Sequence, residues 1–262
     1  HMDYLNAILE RKRADLKKIL PLEGKLRASA ILRNDYAGFR TAVDLGENRL
    51  SVIPEISRSY PAQGLPHMDM DIRRQYSMFV QGGAQGVSIA VEPQVYGGSW
   101  DMVSVISKIS SIPVMARDVF IHPVQICQAI VTGADAVNLL VAAVPEKELE
   151  PLYRMATGLG LDVMMEVHTL KELEAAMDLE ADFVCINNAD PHTLQANPAV
   201  TERLIEELPA SVTVLSAGGI RTVEDALRML DAGANGVILQ DELAHLDIPQ
   251  EFMEAILALR AE

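Results

Sequence analysis

The chain has 262 residues, 49% apolar and 23% charged, enough for one α/β domain with a full core and too apolar for a disordered chain. Its formal net charge of −15 argues against nucleic acid and anionic membrane surfaces, both of which need a basic patch. No apolar run approaches the ~20 residues of a bilayer span. No secretory leader precedes the first helix, and Cys127 and Cys185 lie inside apolar runs, reading as buried reduced thiols of a cytosolic protein.

His1-Met2 reads as an expression scar. The first helix is predicted over 4–12, where Leu5, Ile8 and Leu9 form an i, i+3, i+4 face, and it opens a helical extension over about 3–48. From there short apolar or β-branched runs alternate with amphipathic helices. The runs are 50–56, 86–91, 114–118, 136–141, 161–167, 183–187, 212–216 and 236–239. Helices lie between them, among them 69–81, 124–131, 170–179, 199–208 and 223–231. Several end at glycine (Gly82-Gly83, Gly133, Gly233), as a helix C-cap before a short loop requires. Eight strand–helix units predict an α/β fold, a (β/α)₈ TIM barrel filling 1–262 as a single domain. An open doubly wound sheet would place a Gly-rich turn after the first strand, where Pro54-Glu55-Ile56-Ser57-Arg58 stands instead.

In such a barrel the polar residues at strand C-terminal ends converge on one mouth. Strand one offers Glu55 and Ser57, two apart and so on one face. Strand three ends in Arg117-Asp118, strand four carries Asn138 amid leucines and valines, and strand five ends at Glu166. Strand six ends at Asn187-Asn188, strand seven at Ser216-Ala217-Gly218-Gly219, and strand eight at Gln240-Asp241. A lone polar strand end is often only solvated. Two glutamates, an arginine and two asparagines aimed at one cavity form a candidate site.

These strand ends resemble the indole-3-glycerol phosphate synthase family. Ile53-Pro54-Glu55-Ile56-Ser57-Arg58-Ser59-Tyr60-Pro61 is similar to its Ala-Glu-(apolar)-Lys-Arg-x-Ser-Pro-Ser run. Ser88-Ile89-Ala90-Val91-Glu92, followed by Tyr96-Gly97-Gly98-Ser99, resembles its Ser-Val-Leu-Thr-Glu stretch and the aromatic-x-Gly-Ser beyond it. Pro113-Val114-Met115-Ala116-Arg117-Asp118 resembles Pro-Val-Leu-Arg-Lys-Asp, and the likeness continues through 134–143, Glu166-Val167-His168, Asn187-Asn188 and Gly219-Ile220. The opening Ile8-Leu9-Glu10-Arg11-Lys12-Arg13 matches the family's N-terminal segment.

The resemblance implies a ring closure in tryptophan biosynthesis. A carboxyphenylamino-deoxyribulose phosphate closes a C–C bond, then loses CO₂ and water to give an indole. The family uses lysines on strands one and three, glutamates on strands one, five and seven, and a phosphate cup at strands seven and eight. Carried over, Glu55, Arg58, Glu166 and Asn187 are retained. The strand-one lysine is Ser57, the strand-three lysine Arg117, the strand-seven glutamate Ala217 and the serine after it Gly218. Ala189, Val119 and Asn138 also depart from the pattern. A guanidinium with pKa above ~12 cannot serve as a general acid, so Arg117 is the sharpest change. In the cup, Gln240-Asp241 and Tyr60 replace the expected glycine and serines, and an aspartate about 4 Å from a phosphate costs a few kcal/mol at an effective dielectric of about 20. A backbone nest at Gly218-Gly219 could persist.

The residues therefore point to a retooled lyase or cyclase acting on a small, carboxylate-bearing, unphosphorylated metabolite. Glu166 or Glu55 would be the base, Arg117 the positive charge for a carboxylate or oxyanion, and Asn138 and Asn187 the donors, with Ser57, Arg58, Gly218 and Gly219 binding substrate. Both Glu166 and Arg117 are expected at a solvent-filled mouth, where substitution costs little stability. Two other readings are an authentic synthase and a non-catalytic homologue binding a ligand or protein, in which Glu55 with Arg58 or Arg117 is only a structural ion pair. His67, His122, His192 and His245 read as loop or helix residues without an evident partner, His168 as structural, and Trp100 as covering the cavity or packing. The twelve methionines suggest adaptable core filling. No cofactor or metal motif is visible, and none is expected.

Overall fold

The computed structural model describes residues 2–61 and 71–261. His67 and the first two residues of the helix expected over 69–81 fall outside them. In chain order the elements are α1 Tyr4–Ile19, α2 Glu23–Leu32, α3 Phe39–Ala42, β1 Ser51–Ile56, α4 Ile72–Gln81, β2 Val87–Ala90, α5 Pro93–Tyr96 and α6 Trp100–Ile109. There follow β3 Val114–Arg117, α7 Pro123–Thr132, β4 Ala136–Leu140, α8 Glu146–Leu159, β5 Asp162–Val167 and α9 Leu170–Asp178. β6 Phe183–Asn187, α10 Ala199–Ile205, β7 Thr213–Ala217, α11 Val223–Ala232, β8 Gly236–Leu239 and α12 Pro249–Leu257 complete the chain. The eight strands pair in parallel in sequence order, and β8 returns to β1 (Ser51↔Gly236 through Pro54↔Leu239) to close a TIM barrel.

Local chemistry sets the helix limits. His122 caps α7 through its Nδ1, which accepts from the Val124 N–H at 3.0 Å, and Pro123 follows at the first helical position. Thr222 and Asp225 form a reciprocal capping box on α11. Both helices stop at a left-handed glycine, Gly133 (φ 107°) and Gly233 (φ 108°), as the glycine pattern predicts.

Strand periodicity divides the core in two. Residues at one parity, such as Val137, Val163, Val184, Val214 and Val237, pack outward against the helices. Those at the other fill the barrel: Ile53, Met115, Ala136, Met164, Cys185, Leu215 and Ile238, with Phe183 stacked against Phe39 of α3 at 6.1 Å between ring centroids. Phe39 and Val43 plug the N-terminal end. Two residues further along these strands the inward positions become Glu55, Arg117, Asn138, Glu166, Asn187, Ala217 and Gln240. Alternation thus sets a polar layer on top of the apolar one.

α1 roofs this polar layer. Leu5, Ile8 and Leu9 pack on Val119, Leu140 and Ala143. Lys12, on the same helical face, reaches Asp118 after β3 at 2.8 Å, with 8% and 4% of the two residues exposed. Among the described residues no helix is long and apolar enough to cross a membrane.

Breaking the Lys12–Asp118 pair strands a buried carboxylate. Lys12→Met should therefore lower the unfolding free energy by about 3–5 kcal/mol, and adding Asp118→Asn should restore part of it. Urea titration, with one cooperative transition expected, measures both. A Lys12→Met cost below about 1 kcal/mol, the range of a surface pair, would show that the helix is not held this way.

Candidate active site

The site is built around Arg117 at the end of β3. Its Nη1 donates to Glu55 Oε1 at 2.8 Å. Its Nη2 donates to both oxygens of Glu166, at 2.9 and 3.0 Å, and its Nε also reaches Glu166 Oε1 at 3.2 Å. The guanidinium thus bridges carboxylates from β1 and β5, its planar fork matching Glu166. Further donors complete both acids. Ser88 Oγ donates to Glu55 Oε1 at 2.8 Å and Gln240 Nε2 to Glu55 Oε2 at 3.1 Å. Asn138 Nδ2 and Asn187 Nδ2 donate to Glu166 at 3.3 and 3.1 Å. The carboxylates are almost fully buried and the Arg117 side chain is 14% exposed.

Burial lowers the guanidinium's hold on its proton, but the two carboxylates outweigh it and push Arg117 well above its ordinary value. For Glu166 burial acts upward, yet the Arg117 charge, His168 and the hydrogen bonds from Asn187 and Arg117 prevail and hold the carboxyl below its usual range. Burial raises the Cys185 thiol beneath it well above the ordinary range, so that sulfur stays protonated.

Two connected lobes open above the triad. One, of about 710 Å³, is lined by Glu55, Arg117, Asn138, Glu166, His168 and Asn187 below and by Tyr4, Leu5, Ile8, Val119 and Leu140 above. The other, of about 510 Å³, lies toward β7 and β8 and is lined by Ser57, Tyr60, Gly218, Gly219, Arg221 and Asp241. Glu55, Tyr96, Ala189, Leu194 and Gln240 line both.

Glu55, Arg117, Glu166, Asn138 and Asn187 are brought together as expected, but several of their roles change. Arg117 is not a free cation for a substrate carboxylate, because Glu55 and Glu166 both face it and match its charge. Asn138 and Asn187 likewise donate to Glu166, and their oxygens accept the Asp118 and Ala189 N–H groups at 3.0 and 2.9 Å. Glu55 and Glu166 are buried and the Arg117 side chain is 14% exposed, so substitution here should cost more stability than at a solvent-filled mouth. Ser57 turns its hydroxyl onto the Ser59 carbonyl at 2.8 Å, and Arg58 lines neither lobe. Gly218 and Gly219 are left-handed (φ 90° and 74°), and a Cβ at Gly218 would come within 2.8 Å of the Ala189 nitrogen.

The histidines acquire partners. His192 Nδ1 lies 2.7 Å from Asp3, His122 caps α7, and His168 Nδ1 lies 3.2 Å from Glu172. Trp100 packs on Phe120 (6.2 Å) and lines neither lobe. Sequence reasoning missed Ser88, Tyr96, Glu92 and Lys12. Ser88 carried a signal, since alternation along Val87–Ala90 turns it inward; so did Lys12, a lysine on an apolar helical face.

The sequence model for indole-3-glycerol phosphate synthase matches residues 5–255. The indole-3-glycerol phosphate synthase of Exiguobacterium sibiricum is 31% identical over 255 residues, 97% of each chain. That of Bacillus cereus is 32% identical over 207 residues, 79% of this chain and 82% of its own. Among solved structures, thiamine phosphate pyrophosphorylase from Pyrococcus furiosus superposes with a TM-score of 0.59 at 15% identity, over 80% of this chain and 94% of its own, a likeness of fold.

Replacing Arg117 by methionine leaves Glu55 and Glu166 facing each other without a counter-charge. At pH 8 this should cost about 3–5 kcal/mol of stability. The Glu166 carboxyl, no longer held down by the Arg117 charge, then titrates upward, so the folded variant binds a proton that its unfolded chain releases, and the deficit shrinks as pH falls toward 5. Chemical denaturation at the two pH values tests this, and a pH-independent deficit below about 1 kcal/mol would contradict the triad.

Proposed function

The chain belongs to the indole-3-glycerol phosphate synthase family, and on that premise we propose that it is a repurposed member. In this reading it carries out lyase- or cyclase-type chemistry on a small unphosphorylated metabolite. The observation that carries the reading is the position of Glu55. It lies at the junction of both lobes, and among the described residues its Oε2 accepts only from Gln240, leaving a lone pair for a substrate proton. Glu166 is less suited as the base. Its oxygens already accept from Arg117, Asn138 and Asn187, and its carboxyl is held below the usual range. Arg117 serves as a positioning residue that keeps Glu55 oriented toward the lobes.

The charge of the mouth bears on the substrate. Arg117 faces two glutamates, Arg221 faces Asp241 at 3.7 Å, and Asp118 is matched by Lys12. The described lining thus carries surplus negative charge, and its two arginines are already paired. A neutral or cationic reacting group suits this field better than the carboxylate that an unpaired Arg117 would have received. The family's own ring closure fits poorly, because Ser57, Arg117 and Ala217 stand where its two lysines and a glutamate are expected.

Three measurements test the reading. Given the carboxyphenylamino-deoxyribulose phosphate, the purified protein should form indole product at least about 10³-fold below an ordinary turnover of ~10 s⁻¹, each lost acid–base group being worth ~10²–10⁴-fold. Indole fluorescence growing at a rate near ~10 s⁻¹ would identify an authentic synthase. In ligand screening, an arylalkylamine or arylalkyl alcohol should stabilise the fold more than an aryl carboxylate of equal size. The reverse order would refute the charge argument. With a turned-over ligand in hand, Glu55→Gln should lower kcat by about 10²–10⁴-fold with little change in binding.

A further inference from the structure

At the rim formed by β7 and β8 lies a buried carboxylate that the chemistry around Arg117 does not use. Glu242 belongs to the 3₁₀ turn Asp241–Leu243 that follows β8, and 8% of the residue is exposed. Its Oε2 accepts the Gln240 N–H at 2.7 Å, and its Oε1 accepts the Ile220 N–H at 3.3 Å. The first bond is a local cap of the turn. The second crosses 22 residues to the loop after β7, which a local cap does not require. The left-handed pair Gly218-Gly219 immediately precedes Ile220 and shapes that loop.

Backbone N–H groups from the loops after strands seven and eight are a recurrent phosphate seat in TIM barrels. Here two such donors, the Gln240 and Ile220 N–H groups, are taken by the chain's own side chain. Burial and the neighbouring Asp241 push the Glu242 carboxyl up to about 7, so above that pH the seat holds a full negative charge. Asp241 adds a second one, and Arg221, the cation among the described residues lining this lobe, lies against it at 3.7 Å.

We propose that the Glu242 carboxylate is the resident anion of this rim. It is a specificity determinant that occupies the backbone donors a phosphate-bearing ligand needs, and so reserves the second lobe for an uncharged part of the ligand. The inference rests on the reading of an unphosphorylated ligand, but its test requires no turnover.

The probe is inorganic phosphate, titrated by calorimetry at pH 8 into the full chain. The parent should show no binding below about 10 mM. Asp241→Asn with Glu242→Ala should bind phosphate at least roughly tenfold more tightly than the parent limit. Glu242→Gln, whose amide oxygen can accept from only one of the two N–H groups, should gain less than the double variant. If the double variant does not fold, Glu242→Ser alone should still gain phosphate affinity, by at least about threefold. Submillimolar binding by the parent would overturn the proposal, as would a folded double variant, or folded Glu242→Ser in its place, with no gain. A phosphate gain alongside unaltered turnover in Glu55→Gln would leave this inference standing while the proposed function falls. The opposite pair of results would do the reverse.

Discussion

An arginine held between two buried glutamates is the constraint on which the upper half of this barrel depends. Desolvating ions costs several kcal/mol each, and the mutual attraction recovers this only when every lone pair and proton finds a partner. Here that condition is nearly met, with one lone pair of Glu55 Oε2 left toward the lobes. Glu166 receives the guanidinium fork and two asparagine amides, while Glu55 receives the remaining arm, a serine and a glutamine. An ammonium in the same place would lack the planar geometry that reaches carboxylates on β1 and β5 together.

The network extends outward from this centre. Asn138 donates to Glu166 and accepts from the Asp118 N–H, and the Asp118 carboxylate holds Lys12 of the roof helix. The helix over the mouth is therefore tied to the triad through one asparagine and one aspartate. On the opposite side Asn187 ties Glu166 to the Ala189 N–H, while Asn188 bonds the Gly218 carbonyl at 3.0 Å. Lid, triad and β7 rim are parts of one hydrogen-bonded frame, which suits a preorganised site. Its fixed polar groups answer one another first, so what they offer a ligand is a shaped, slightly negative cavity with Glu55 at its centre.

The barrel was legible because short apolar runs alternate with amphipathic helices through eight units, several of the helices ending at glycine. β6 and β8 match their expected limits, and β7 ends one residue later, at Ala217. The polar strand ends were legible as well, since inward parity fixes where Glu55, Arg117, Asn138, Glu166 and Asn187 must lie. What could not be read was pairing. Nothing in the order of residues says that Arg117 will meet two glutamates and not a substrate, because that depends on side-chain reach across the barrel. Lys12 and Asp118 are 106 residues apart, and Asp3 and His192 are 189 apart. Glu242 was hidden for a further reason: attention to Gln240-Asp241 as altered phosphate contacts passed over the next residue, whose carboxylate turns back onto the loop.

The claim that Arg117 belongs to the protein's own carboxylates is tested most directly by following the Glu166 side-chain carboxyl by ¹³C NMR across a pH titration of the unliganded protein. Because its folded pKa is depressed, Glu166 adds stability above the ordinary glutamate value and loses it as pH falls through the lower folded value. The account predicts that the Glu166 resonance stays in its ionised position to below the ordinary glutamate pKa of about 4.3, and that Arg117→Met moves the titration to higher pH. A Glu166 carboxyl titrating at or above that ordinary value in the parent, unmoved by Arg117→Met, would contradict it.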